Sequence, residues 1–148
     1  MQYIGIDLGT SSVKLVLMDS RGTIIKSVSK SYPIFYPKPG WSEQNPEDWY
    51  EASIAGLKEL LNYADVSRIA GISFGGQMHG LVILDENDKV IRPAILWNDG
   101  RTTKQCEYLN QVIGTDKLSQ YTANIAFAGF TAPKILWLKK NEPDNFRK

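Results

Sequence analysis

Asp7 stands at the mouth of an otherwise apolar run, residues 3–8, and is followed closely by Gly9, Thr10, Ser11, Ser12 and Lys14. A carboxylate on a greasy strand is costly unless a cation or a hydrogen-bond donor meets it. The four small residues offer backbone N–H groups and three hydroxyls at close range, and Lys14 adds a positive charge. That set suits a phosphate with its Mg2+: amides and Lys14 for the oxygens, Asp7 for the metal or a metal-bound water. On residue types alone a polar hairpin tip with no ligand is the commoner case. No Gly-x-x-x-x-Gly-Lys-Ser/Thr run occurs, and the turn does not open a helix, so this is not a Walker A loop.

Two further clusters carry chemistry. Gly75 and Gly76 end an apolar run and lead into Gln77, Met78, His79 and Gly80. The glycines let backbone come close to a ligand, and loops beyond strand ends are where open α/β sheets bind them. His79 is the single histidine, which excludes metal ligation by a histidine pair; a lone histidine is more often structural than functional. The third cluster, Trp97, Asn98, Asp99 and Arg101, sets an aromatic face beside dense hydrogen-bonding groups. A sugar pocket uses that combination, stacking C–H faces on the ring and pairing hydroxyls with amide and charge. Capping of the next helix accounts equally well for Asp99, and a surface position for Arg101.

The elements that must hold these clusters follow from pattern. Residues 3–8 and 13–19 read as a β-hairpin, with Tyr3, Gly5 and Asp7 on one face and Ile4, Ile6 and Leu8 on the other. Asp19 to Gly22 reads as a turn, and residues 23–30 as a third antiparallel strand. Pro33, Pro37, Pro39 and Gly40 make residues 33–40 a loop, and Trp41 is expected to pack that loop down. Asn45 and Pro46 start a helix whose buried face is Trp49, Ser53, Gly56, Leu57, Leu60 and Leu61. Residues 69–74 read as a strand buried on both faces.

A hairpin over 81–91 comes next, then a helix with Cys106, Leu109, Val112 and Ile113 as its apolar stripe. Cys106 on that stripe is a small core residue rather than a nucleophile. Thr131 is expected to cap a last long helix with Pro133 in its first turn, and residues 143–148 look like the opening of another.

Composition bounds the rest. The chain has 148 residues, the length of one ordinary domain. Net charge is +1 with no basic patch, so nothing points to nucleic acid or anionic lipid. One cysteine excludes an internal disulfide and fits a reducing compartment. No apolar run reaches the length of a membrane span, and the chain opens on a strand rather than a signal peptide. A cytoplasmic protein is expected.

Asp-Leu-Gly-Thr-Ser-Ser-Val-Lys, residues 7–14, closely resembles the first phosphate motif of the actin, Hsp70 and sugar-kinase superfamily. The resemblance implies that the hairpin tip approaches the β- and γ-phosphates of ATP and that Asp7 acts through Mg2+. Trp-x-Glu-Gln-x-Pro-x-x-Trp, residues 41–49, resembles a stretch of the FGGY carbohydrate kinases, especially xylulose kinases. Gly-Gln-Met-His-Gly, residues 76–80, is similar to their sugar-contacting loop, which implies that Met78 and His79 face the ketose. Gluconate kinases share Met-His, so Gln77 and the residues after the loop lean toward xylulose. Trp-Asn-Asp-Gly-Arg, residues 97–101, matches the xylulose branch, whereas gluconate kinases tend to Trp-Ala-Asp-Asn-Arg and glycerol kinases to Trp-Gln-Asp-x-Arg. Gly-Phe-Thr-Ala-Pro-Lys, residues 129–134, again looks like xylulose kinase, where its helix supports the active-site wall; Lys134 is read as structural or peripheral.

The resemblance spans the whole chain and implies an α/β, actin-like (ribonuclease H-like) ATPase fold, with residues 1–148 as the N-terminal part of the first of two such domains. It implies ATP-dependent phosphorylation of D-xylulose in the full-length enzyme, with ATP and Mg2+ as cofactors. No aspartate here matches the family's catalytic-base motif, so the base is expected beyond Lys148 and the 148-residue chain alone is expected to be inactive. The implied site comprises Asp7; Gly9, Thr10, Ser11, Ser12 and Lys14 at the phosphates; and Gln77, Met78, His79, Gly80, Trp97, Asn98, Asp99 and Arg101 at the sugar. A small sugar is the expected partner, with neither nucleic acid nor membrane, and a homodimer is a further expectation for the full-length protein. The alternatives are a gluconate or other sugar kinase of the family, or a non-catalytic interaction fragment.

Overall fold

The alternation of residues 3–8 with 13–19 closes into the expected hairpin because each strand has one apolar face to bury. The computed structural model describes residues 1–148. Its strands are β1 (Gln2–Leu8), β2 (Ser12–Asp19), β3 (Ile24–Ser31), β4 (Glu43–Gln44), β5 (Ile69–Gly76) and β6 (Ala94–Ile95). Its helices are α1 (Pro46–Leu61), α2 (Thr103–Leu109), α3 (Thr115–Thr122), α4 (Thr131–Asn141) and α5 (Pro143–Arg147). Length alone suggests one domain; contacts gather instead in two units, residues 1–33 with 47–77, and residues 34–46 with 78–148.

The first unit is a four-stranded sheet of order β3-β2-β1-β5. β1, β2 and β3 are antiparallel neighbours, and β5 runs parallel to β1. The predicted turn at Asp19 forms: its carbonyl accepts from Gly22 N at 3.1 Å, and its carboxylate from the amides of Arg21 and Thr23 at 2.8 and 2.9 Å. Ile4, Ile6, Val13, Leu15 and Leu17 point to one side and are buried with Val28, Tyr32 and Leu60. Helix α1 covers that side through Trp49, Ala52, Leu57, Leu60 and Leu61. Fully burying one such side chain is worth roughly 1.5–3 kcal/mol. At Gly56 a Cβ would fall 2.4 Å from a Leu15 methyl, so a larger residue there would make the buried Leu15 side chain shift.

β5 departs from its pattern. The apolar run 69–74 predicts a strand buried on both faces, yet Ile72 is 49% and Phe74 76% exposed. β5 is the sheet's outer strand.

In the second unit β4 pairs antiparallel with β6, and bridges join Phe35 to Glu43 and Leu81 to Ile95. Glu43 and Gln44, which local sequence chemistry assigns to no element, are strand: short range offers them no partner, and Ala94–Ile95 supplies one. The hairpin after Leu81 is present, with Ile91 N bonding Ile83 O at 3.1 Å. Leu81, Ile95, Trp137 and Leu138 form the core, with Trp41 and Ile83 against it. Trp41 meets Trp137 edge-on at 5.3 Å, the packing role expected of it.

Three local expectations are corrected. Asp99 does not cap α2, which starts at Thr103 after Thr102, because its carboxylate is engaged elsewhere. Val112 and Ile113 do not continue a buried stripe: a π-type turn at Asn110–Gly114 rotates them out, to 64% and 40% exposure. Thr131 is not the cap of α4 but its first residue, and its hydroxyl donates to the His79 carbonyl at 3.3 Å. No helix is long and apolar enough to cross a membrane.

Candidate functional site

The open face of the first sheet carries the phosphate candidates. Asp7 sits directly opposite Lys14 across β1 and β2 and opposite Gly75 across β1 and β5. Both charged residues are exposed. Gly5, Val16, Ser73, Phe74 and Gly75 join them around a cavity of about 350 Å³. Gly5, Ser73 and Gly75 are the small residues of that lining, and a Cβ on Gly75 would lie 3.6 Å from the Asp7 carboxylate. Asp7 is a single carboxylate, and no cluster of three metal-ligating side chains exists. This suits Mg2+ held by one carboxylate with phosphate oxygens and water, and does not suit a metal caged by protein alone.

The hairpin tip is pinned from behind. Gly9 N bonds Ser12 O at 3.0 Å and Tyr32 N bonds Ser11 O at 3.3 Å. The Tyr32 hydroxyl donates to the Gly9 carbonyl. Burial, with the negative charge of Asp7 as a lesser cause, pushes the Tyr32 phenol up to about 12, so it stays a donor. Sequence pattern does not mark Tyr32; the available signal is an aromatic ending a strand otherwise rich in serine and lysine. Gln77 N extends the parallel ladder by bonding Leu8 O at 2.8 Å, which puts Gln77 beside the end of β1.

The second unit holds the other candidates. Met78 and His79 are exposed, Met78 by 67%. His79 has φ 61, a left-handed backbone uncommon outside glycine. Its ring stacks on Phe130 with centroids 4.3 Å apart and planes at 21°. Trp97 is half exposed, at 47%. A Cβ at Gly129 would fall 2.3 Å from the Trp97 carbonyl, so segment 123–130 passes against the backbone of Trp97. Lys134 Nζ donates to both the His79 and the Gly129 carbonyls at 2.7 Å, joining the two loops. Asn98 opens on a separate cleft of about 490 Å³ walled by residues 36–42.

Asp99 and Arg101 lie beneath this surface, their side chains wholly buried. Asp99 Oδ1 accepts from Arg101 N and Nε, both at 2.9 Å, and Oδ2 accepts from Ser42 N and Arg101 Nη2, both at 2.7 Å. Arg101 Nη1 is 2.7 Å from Glu43, which also meets Arg92, and Arg92 reaches Glu142 at 2.6 Å. The Arg101 guanidinium lies 3.7 Å over the Trp41 ring. Pairing of this kind offsets the cost of taking these charges out of water. Glu43, Arg92 and Glu142 escape sequence reading because Arg92 stands 49 and 50 residues from its two partners. Cys106 is buried, and burial raises its thiol, so it is the core residue expected and not a nucleophile.

The description that matches this chain is the N-terminal domain of the FGGY family of carbohydrate kinases, over residues 2–148. A xylulose kinase from Bacillus subtilis is 50% identical over 151 residues, covering 100% of this chain and 30% of that protein. The crystal structure of xylulose kinase from Rhodospirillum rubrum superposes with a TM-score of 0.95 at 30% identity, over 99% of this chain and 30% of that one. A gluconate kinase from Lactobacillus acidophilus gives 0.92 at 29%, with coverages of 99% and 30%. The chain therefore spans about 30% of the length of the relatives it matches. These neighbours bear out the α/β, actin-like fold expected from the phosphate motif. With its phosphate-motif hairpin, its Trp-Asn-Asp-Gly-Arg segment and a match over residues 2–148, this chain belongs to the FGGY family of carbohydrate kinases.

Proposed function

We propose that this chain serves an ATP-dependent kinase that phosphorylates D-xylulose to D-xylulose 5-phosphate, supplying its phosphate hairpin and part of its sugar wall. The observation that carries the reading is the Asp7–Lys14 pair, placed opposite each other and lining one cavity with Gly5, Ser73 and Gly75. Asp7 would hold Mg2+ directly or through water, and the metal, when bound, offsets charge on the phosphate oxygens. Thr10, Ser11, Ser12 and Lys14 donate toward the transferring group, where preorganised donors contribute most. Gly9, its N–H already bonded to Ser12, shapes the tip.

Met78 and His79 meet the sugar, with Gln77 and Gly80 setting their loop. Trp97 and Asn98 present the wall, and Asp99 and Arg101 hold it from behind. The hydroxyl proton goes to a carboxylate outside residues 1–148. The complete enzyme accordingly divides into two actin-like domains, of which these residues form the front of the first, working in the cytoplasm.

A substrate panel on the full-length protein with MgATP tests this reading. D-Xylulose should show the highest kcat/KM among ketoses, gluconate and glycerol, and the 148-residue chain alone should show no turnover. Preference for gluconate would move the protein to the neighbouring branch. Sustained turnover by the short chain would refute the division of labour.

A further inference from the structure

Lys134 is fully buried, side chain and backbone together. Its ammonium makes no salt bridge; its partners are two main-chain carbonyls, of His79 and Gly129, each at 2.7 Å. Burying a charge against carbonyls alone is expensive, and a methionine would fill the same space without that cost. What methionine cannot do is donate to both carbonyls at once. The two carbonyls belong to the loops that carry His79 and abut Trp97.

His79 is held at a second point. Its ring lies on Phe130 at 4.3 Å, and Phe127 supports Phe130 edge-on at 5.2 Å. The Thr131 hydroxyl reaches the same His79 carbonyl at 3.3 Å. A left-handed non-glycine residue persists only where its surroundings over-determine it, and here backbone and ring are both gripped by residues 127–134.

We propose that Lys134 is a positioning residue for substrate: from the first turn of α4 it clamps the His79 carbonyl, fixing the left-handed backbone and the ring on Phe130 in one pose toward a polyhydroxylated ligand. The proposal rests on the reading that His79 meets the sugar. Lys134 itself touches no substrate. Burial lowers its ammonium to about 8, in keeping with an amine shut away from water. The clamp survives loss of the proton, because a neutral amine keeps two N–H donors for two carbonyls.

The test is a double-variant cycle in the full-length protein. Lys134→Met should raise the sugar KM on the order of ten-fold while the ATP KM changes less than about two-fold. In a His79→Ala background the same change should add less than about two-fold, because both act through one ring. If Lys134→Met proves unstable, Phe130→Leu removes the stack without exposing the amine, and its smaller rise in sugar KM should vanish likewise over His79→Ala. A lowered melting temperature with both KM values unchanged in Lys134→Met overturns the proposal, as does a full multiplicative effect over His79→Ala. His79→Ala with an unaltered sugar KM would instead overturn the placement of the sugar, and the clamp's purpose with it.

Discussion

The Tyr32 hydroxyl donates to the backbone carbonyl of Gly9, so the residue after β3 holds the tip of the neighbouring hairpin. The bond bridges 23 residues of sequence and fixes where the amides of residues 10–12 point. Tyr32→Phe deletes the donor and keeps the ring in the core. A hydrogen bond of this kind is worth about 0.5–1.5 kcal/mol. The expected result is a small fall in melting temperature and a several-fold rise in the ATP KM, roughly what that energy allows. The sugar KM should hold, and a rise in it instead would detach Tyr32 from the phosphate loop.

Asp7→Asn preserves shape and removes the charge that, in the proposed reading, faces the transferring phosphate. In the full-length protein turnover should drop by about 2.7–4 kcal/mol in barrier, the range for losing one preorganised electrostatic contact, with sugar binding little changed. Steady-state kinetics against both substrates measures it. A change of turnover smaller than a few-fold would make the hairpin structural only.

Gly129→Ala places a methyl 2.3 Å from the Trp97 carbonyl. Neither side of that contact is a flexible side-chain end, so backbone must move. Overpacking of this sort costs about 1–3 kcal/mol, and the shift should disturb Trp97 and the Lys134 clamp together. Lower thermal stability combined with weaker sugar binding is expected. A variant as stable as the parent would mean that residues 123–130 do not press on Trp97.

Lys134 gives the protein a pH signature. Burial lowers its ammonium to about 8, with Asp99 opposing that shift and Arg101 adding to it. Below pH 8 the folded chain buries a charge and gains nothing from this shift. Between about pH 8 and 10.5 the folded state has released the proton while the unfolded state still binds it, so stability rises with pH across that window. Denaturation of the parent and of Lys134→Met at pH 7 to 10 should show the difference between them moving in the parent's favour as pH rises. A constant difference would show that the ammonium is not desolvated.

Sequence alone determined the features that depend on near neighbours. The hairpin, the Asp19 turn, the Asn-Pro helix start and the α1 face come from alternation, helical spacing and residues with narrow conformational preferences, all expressed within a few positions. The opposition of Asp7 and Lys14 was legible for the same reason, since the hairpin's register sets them across from each other. Tertiary structure decided the features that depend on distant partners. Glu43 and Gln44 are strand only because Ala94 and Ile95 arrive. Asp99 pairs with Arg101 and Ser42 instead of capping because burial makes an unpaired carboxylate too costly. Lys134 reads as structural or peripheral, and its burial against two carbonyls settles it as structural, since a lysine's four-carbon stem shows nothing in sequence of the carbonyls it will meet. β5 reads as doubly buried, but a strand's side chains are covered only by what packs on its faces, and on this outer strand Ile72 and Phe74 stay exposed.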